Sequence, residues 1–135
     1  METSDDRNRR LLRARDTMDR CFAEDLTVPG LARIALMGRE HFIREFKKVF
    51  GETPYRYLQR RRIERAMQML RWSERTVTDI CMAVGFSSLG TFSRTFTEIV
   101  GQTPSEYRAS TDRPASYVPE LFTMRWRRPA GDDHR

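Results

Sequence analysis

Two segments, FIREFKKVFGETPYRY at residues 42–57 and FSRTFTEIVGQTPSEY at residues 92–107, decide the fold. At an offset of 50, Phe42, Arg44, Phe46, Gly51, Thr53, Pro54 and Tyr57 match Phe92, Arg94, Phe96, Gly101, Thr103, Pro104 and Tyr107. Upstream the match continues at an offset of 49, where Thr27, Val28 and Ala35 face Thr76, Val77 and Val84. The one-residue slip falls where a chain changes length most easily, in a turn between helices. Self-similarity of this kind means that one structural unit occurs twice.

Each copy spells out its elements. Thr27 and Thr76 are N-cap residues for short helices, and Asp79 adds a capping-box pattern to the second. A tight turn at 36–38 leads into a helix from Arg39 to Phe50, which Gly51 stops. In the second copy Ser87 is placed to cap a helix running to Val100, with Gly101 as the stop. Thr53-Pro54 and Thr103-Pro104 restart the chain, with Thr as cap and Pro at the first helical position. Phe42, Phe46, Val49 and Phe50 form a buried stripe, as do Phe92, Phe96, Ile99 and Val100.

Outward from this repeat, a long helix from 54 to about 71 joins the two units and buries Leu58, Ile63, Ala66, Met69 and Leu70. Arg62 lies close to that apolar face, as a snorkelling stem or a buried ion pair. A preceding helix spans Arg10 to Phe22, with Leu11, Ala14, Met18, Cys21 and Phe22 at helical spacing. Residues 1–9 are polar and read as a flexible terminus. The pattern lapses in the tail, 111–135, where Tyr117, Leu121, Phe122 and Trp126 could dock on the helices. Arg125, Arg127 and Arg128 beside Trp126 could instead meet phosphates. No segment alternates as a strand. The fold class is all-α: about seven helices, with units at 27–50 and 76–100 inside a domain of 13–110.

Short helix, tight turn and longer helix make the layout of a helix-turn-helix, whose second helix enters the major groove. The charge agrees. Among 135 residues, 25 Lys and Arg oppose 19 Asp and Glu, a formal net charge of +6, which suits a polyanionic partner. On the outward face of the first unit stand Glu40, His41, Arg44, Lys47 and Lys48, with Ile43 at the border. In the second unit Gly90, Thr91, Arg94 and Thr97 face out, with Leu89 and Ser93 at the border. Arg44 and Arg94 share one place in the repeat and are the best candidates for base contact, since Arg bonds guanine O6 and N7 together. His41, Lys47, Lys48, Thr91 and Thr97 suit phosphate contacts.

Other chemistries find little support. No nucleophile–base set or phosphate-binding glycine loop is visible, so no enzyme, metal or cofactor is expected. Cys21 and Cys81 fall on apolar helical faces and read as buried structural thiols. The terminus METSDDRNRR has no signal-peptide core, and no apolar run approaches a membrane span, so a cytoplasmic protein is expected. The rival reading is a protein-interaction module or anti-activator that has lost specific DNA binding.

The segment DICMAVGFSSLGTFSRTFTEIVGQTPSEYR at 79–108 resembles the C-terminal signature of the AraC/XylS family of bacterial transcription regulators. Ile80, Gly85, Phe86, Ser88, Phe92, Arg94, Phe96, Gly101, Pro104, Tyr107 and Arg108 fit its pattern. Cys81 replaces a common Ala, and Thr97 a common Lys. YLQRRRIERAMQML resembles the family's linking helix. The first unit departs from the pattern: its turn reads Ala35-Leu36-Met37-Gly38 where the family has Ala-Gly-x-Ser.

The resemblance implies a standalone, monomeric, two-lobed DNA-binding domain that activates transcription by touching RNA polymerase, with no small-molecule effector. Base-facing positions then map to Arg39, Glu40, Ile43 and Arg44, and to Leu89, Gly90, Ser93 and Arg94. It also implies two recognition helices in adjacent major-groove segments, ~34 Å apart on an asymmetric site.

Overall fold

The computed structural model describes residues 2–110; the tail from 111, with its docking or phosphate-binding aromatics and arginines, lies outside the described residues. Seven helices are present among them: α1 (Ser4–Arg20), α2 (Val28–Ile34), α3 (Arg39–Phe50), α4 (Pro54–Trp72), α5 (Val77–Ala83), α6 (Leu89–Val100) and α7 (Pro104–Ala109). They fall into two compact units, one ending at Leu58 and the next beginning at Gln59, so the boundary lies within α4. No described helix is long and apolar enough to cross a membrane.

The first unit packs Leu11, Ala14 and Met18 of α1 with Leu31 and Ala32 of α2 and Phe42 and Phe46 of α3. The rings of Phe42 and Phe46 meet edge to face at 5.6 Å, and Phe46 meets Tyr57 at 5.8 Å. The second unit repeats this motif: Phe92 and Phe96 lie 5.8 Å apart, and Phe96 and Tyr107 also 5.8 Å. The two tyrosines use their hydroxyls differently. Tyr57 donates to Asp19 Oδ1 at 2.7 Å, whereas Tyr107 accepts from Arg71 Nη1 at 3.3 Å. Burial raises the Tyr107 phenol above its ordinary value, with the Arg71 charge opposing.

Capping explains most helix starts. Thr27, Thr53, Thr76, Ser88 and Thr103 each accept a bond from the backbone N–H three residues on. Glu106 returns the bond to Thr103 and completes a capping box. Gly51 and Gly101 end α3 and α6 at φ 85° and 93°, a left-handed geometry in which a side chain would be strained.

Several expectations are corrected. Residues 4–9 are helical and not a loose terminus: α1 begins at Ser4, because Thr3 and Asp6 form a capping box. Asp6, bonded by Arg9 and by Thr3, has its carboxyl held below the usual range. At its other end α1 stops at Arg20, which leaves Cys21 as a half-buried C-cap rather than a core residue. Cys81 is buried as expected, and desolvation raises its thiol. In α4 the buried methionine is Met67 and not Met69. Val49 is 40% exposed, although its counterpart Ile99 is 1% exposed. Phe50 and Val100 are half-buried. Ser88, not Ser87, caps α6. Arg62 places its guanidinium 5.8 Å from the centre of the Phe86 ring, a cation–π contact that explains its position beside an apolar face.

Candidate nucleic-acid interface

In each unit a short helix passes into a longer one through the same turn. Leu36 N–H donates to Arg33 O at 3.0 Å and Met37 N–H to Ala32 O at 2.9 Å. In the second unit Gly85 N–H donates to Met82 O and Phe86 N–H to Cys81 O, both at 3.1 Å. The positive-φ position is Leu36 at 57° in the first turn and Gly85 at 102° in the second. Met37 therefore corresponds to Phe86 and Gly38 to Ser88, which places the one-residue slip at Ser87. The Ala-Leu-Met-Gly turn keeps the shared geometry by holding a leucine in left-handed backbone.

The turns differ in support. Gly38 is the N-cap of α3 and has no side chain to bond the first turn, whereas Ser88 Oγ accepts from Thr91 N–H at 3.2 Å. The first unit has a compensating clamp from α1. Arg10 Nε donates to Ala35 O at 2.8 Å, next to the leucine turn. Arg7 Nε lies 3.3 Å from Glu45 Oε1, a carboxylate on α3 whose side chain is only 13% exposed. Sequence reasoning missed Arg7 because it began α1 at Arg10, and missed the role of Arg10 because its bond to Ala35 is a tertiary contact. The Thr3-Ser4-Asp5-Asp6 start was the signal that could have found Arg7.

On α3 the structure leaves Arg39, Glu40, His41, Arg44 and Lys48 exposed, and Ile43 and Lys47 half-buried. Arg39 Nη1 and Glu40 Oε2 pair at 2.7 Å, both well exposed, so a ligand in water can displace the pair at little cost. Lys48 Nζ leans toward Glu45 at 3.9 Å. Another exposed cation, Arg33 on α2, occupies the register that Met82 takes on α5, and was not singled out from the sequence.

On α6 Leu89, Gly90, Arg94 and Thr97 are exposed, and Thr91 and Ser93 half-buried. Part of the hydrogen-bonding capacity there is used within the helix. Thr97 commits its one proton to Ser93 O at 2.8 Å, so a phosphate contact from that hydroxyl needs the bond to open. Arg94 folds back along the helix: Nη1 lies 4.0 Å from the point a Cβ on Gly90 would occupy. The electrostatics differ accordingly. Arg39, Arg44, Lys47 and Lys48 of α3 face two carboxylates, Glu40 and Glu45. On α6 the charged side chains are Arg94 and Glu98 alone.

A family model described as "Helix-turn-helix domain" matches residues 31–110. The chain is 36% identical over 100 residues to an uncharacterized HTH-type transcriptional regulator of Staphylococcus aureus (strain COL), covering 74% of this chain and 13% of that protein. It is 30% identical over 87 residues to the uncharacterized HTH-type transcriptional regulator YdeC of Bacillus subtilis (strain 168), covering 64% of this chain and 30% of that one. The chain thus spans a small part of those relatives' length. Among solved structures it is similar to a transcriptional regulator from Chromobacterium violaceum, described as AraC-type DNA-binding domain-containing (TM-score 0.71, 30% identity, 80% of this chain and 96% of that one). It is also similar to the DNA-binding domain of AdpA, a global transcriptional factor solved in complex with a target DNA (TM-score 0.72, 28% identity, 75% and 91%).

Proposed function

The chain belongs to the AraC-type helix-turn-helix family of DNA-binding transcriptional regulators, and from that premise we propose that it grips duplex DNA with α3 and α6 in adjacent major-groove segments. The observation that carries this is a repeated one. The same turn, made twice, precedes a helix with an exposed arginine at one register, Arg44 in α3 and Arg94 in α6. Each guanidinium is assigned to a guanine edge, which it fits bidentately. Around them Arg39, Glu40 and Ile43, and Leu89, Gly90 and Ser93, complete the base-facing sets. His41, Lys47, Lys48, Thr91 and Thr97 are assigned to phosphates, which fix register but carry no sequence information.

Because the two faces differ, the operator is asymmetric and one chain fills it. The domain, expected from 13 to 110, takes in the whole of α1 from Ser4, since Leu11 is part of its core, with units at 27–50 and 76–100 and α4 between them. Activation through RNA polymerase is the regulatory reading, and the family resemblance is its support.

The test is a complex between the full chain and a site selected from random duplexes, measured by fluorescence anisotropy. Neutralising roughly four to six phosphates should weaken binding about 10²–10³-fold between 50 and 200 mM salt. Footprinting should protect an asymmetric site bound by one chain. Binding that ignores salt, or a palindrome holding two chains, overturns the reading.

A further inference from the structure

We propose that Leu89 reads the 5-methyl group of a thymine, an inference that rests on the reading of α6 as a major-groove helix. Leu89 opens α6, and its side chain is 44% exposed. A single exposed leucine ordinarily needs no explanation. The surroundings of this one give it a role. The capping hydroxyl before this turn is engaged, Ser88 Oγ accepting from Thr91 N–H. Gly90 adds no side chain, and the atoms nearest to its missing Cβ are Ser88 Oγ at 3.8 Å and Arg94 Nη1 at 4.0 Å. The leucine therefore stands next to a residue without a side chain, over which the Arg94 guanidinium leans.

The thymine methyl is the one apolar group that a base edge presents in the major groove. Against any other edge a leucine would cover donors and acceptors without replacing their bonds with water, which disfavours the complex. Against a thymine it buries methyl on methyl. The contrast with the first unit supports the assignment. There the equivalent positions hold Arg39 and Glu40, an ion pair with donors and acceptors for polar edges. At this register the second unit thus presents an apolar group where the first presents charge.

The experiment replaces each thymine of the selected operator, one at a time, with deoxyuridine, which removes the methyl and keeps the pairing. One position in the half-site of the second unit should lose about fourfold in affinity for the full chain, the effect of one buried methyl. Leu89→Ala should bind the thymine and uracil forms of that position alike, and Leu89→Met should restore discrimination. Thermal melts of both variants check that α6 still folds. If uracil is tolerated at every position by a protein that still binds specifically, or if Leu89→Ala keeps the full uracil penalty, the thymine reading falls and DNA binding stands. If no selected duplex is bound specifically, both fall together.

Discussion

The first unit makes its helix-turn-helix bend with Leu36 at φ 57°, and the second makes the same bend with Gly85 at φ 102°. The backbone bonds around the two residues are equivalent, so the turn is set by the packing of the unit and not by the residue at its apex. The units solve one geometric problem with different resources. The second has a glycine that fits and a serine cap. The first has a strained leucine, 71% exposed, and no cap, but gains Arg10 on Ala35 O and Arg7 on Glu45. Its second helix, α3, also carries four Lys and Arg against the single Arg94 of α6. Local regularity and basic charge are thus split between the two units.

The largest test of this comparison lies at one register of the repeat. Ile99 is 1% exposed and Val49 is 40% exposed. Truncating a buried isoleucine loses its transfer energy and leaves a cavity, so Ile99→Ala should cost ~2–5 kcal/mol. Val49→Ala removes a side chain already in contact with water and should stay within ~0.5 kcal/mol. Urea denaturation with an unchanged slope is the measurement. Equal losses would show that the repeat imposes the same burial on both units.

Next come the two arginines. Arg94→Ala and Arg44→Ala should each weaken binding by ~1–3 kcal/mol and relax preference at one base pair. The informative outcome is which base pair. Selection from random duplexes with each variant should relax two separate positions, one per half-site. If both substitutions relax the same pair, the units do not read independently. If neither relaxes any, these guanidiniums touch only phosphate.

Much of this was legible in the sequence, and for identifiable reasons. Thr-Pro restarts, Gly stops and Phe-x-x-x-Phe stripes are local rules, so α2 to α7 fall where the repeat puts them, apart from Ser88 replacing Ser87 as the cap. A stripe rule sees only its own helix. It assigned Val49 and Met69 to the interior because it cannot know which neighbour reaches the edge of the stripe. The polar start of α1 was misread because charge density outweighed the Thr3–Asp6 capping box. Most outward residues of α3 and α6 follow from helical angle, whereas Arg39 came from the family resemblance, and Lys47 is half-buried. That Glu40 pairs with Arg39, that Thr97 spends its proton on Ser93, and that Arg94 lies over Gly90 depend on rotamers, and no spacing rule carries those.

The turn itself gives a smaller effect with opposite signs in the two units. Left-handed backbone costs an L-residue roughly 1–2 kcal/mol. Glycine removes that cost but adds freedom to the unfolded chain, worth roughly 0.4–1 kcal/mol. Leu36→Gly should therefore stabilise by ~0.5–1 kcal/mol, since the exposed side chain gives up little burial. Gly85→Ala should destabilise by ~0.5–1 kcal/mol by the same balance. Thermal denaturation decides it, and a destabilised Leu36→Gly would mean that the leucine contributes a contact larger than its strain.

The smallest effect is at the caps, where the comparison can be reversed by exchanging residues. Gly38 and Ser88 both hold extended backbone at the N-cap, with ψ 161° and 124°. A Cβ on Gly38 would meet nothing within 4 Å, so a serine fits without displacement. Its hydroxyl could then accept from His41 N–H, as Ser88 Oγ accepts from Thr91 N–H. A serine cap exceeds a glycine cap by only a few tenths of a kcal/mol, because glycine leaves the N–H groups open to water. Gly38→Ser should gain about that much and Ser88→Gly lose it, with Ser88→Ala losing ~1 kcal/mol. The first value is the informative one. Arg10 already ties down the carbonyl at Ala35, so a gain at Gly38 as large as the loss at Ser88 would show that clamp and cap act independently. No gain at all would show that the α1 arginines have already fixed the turn that the missing cap leaves open.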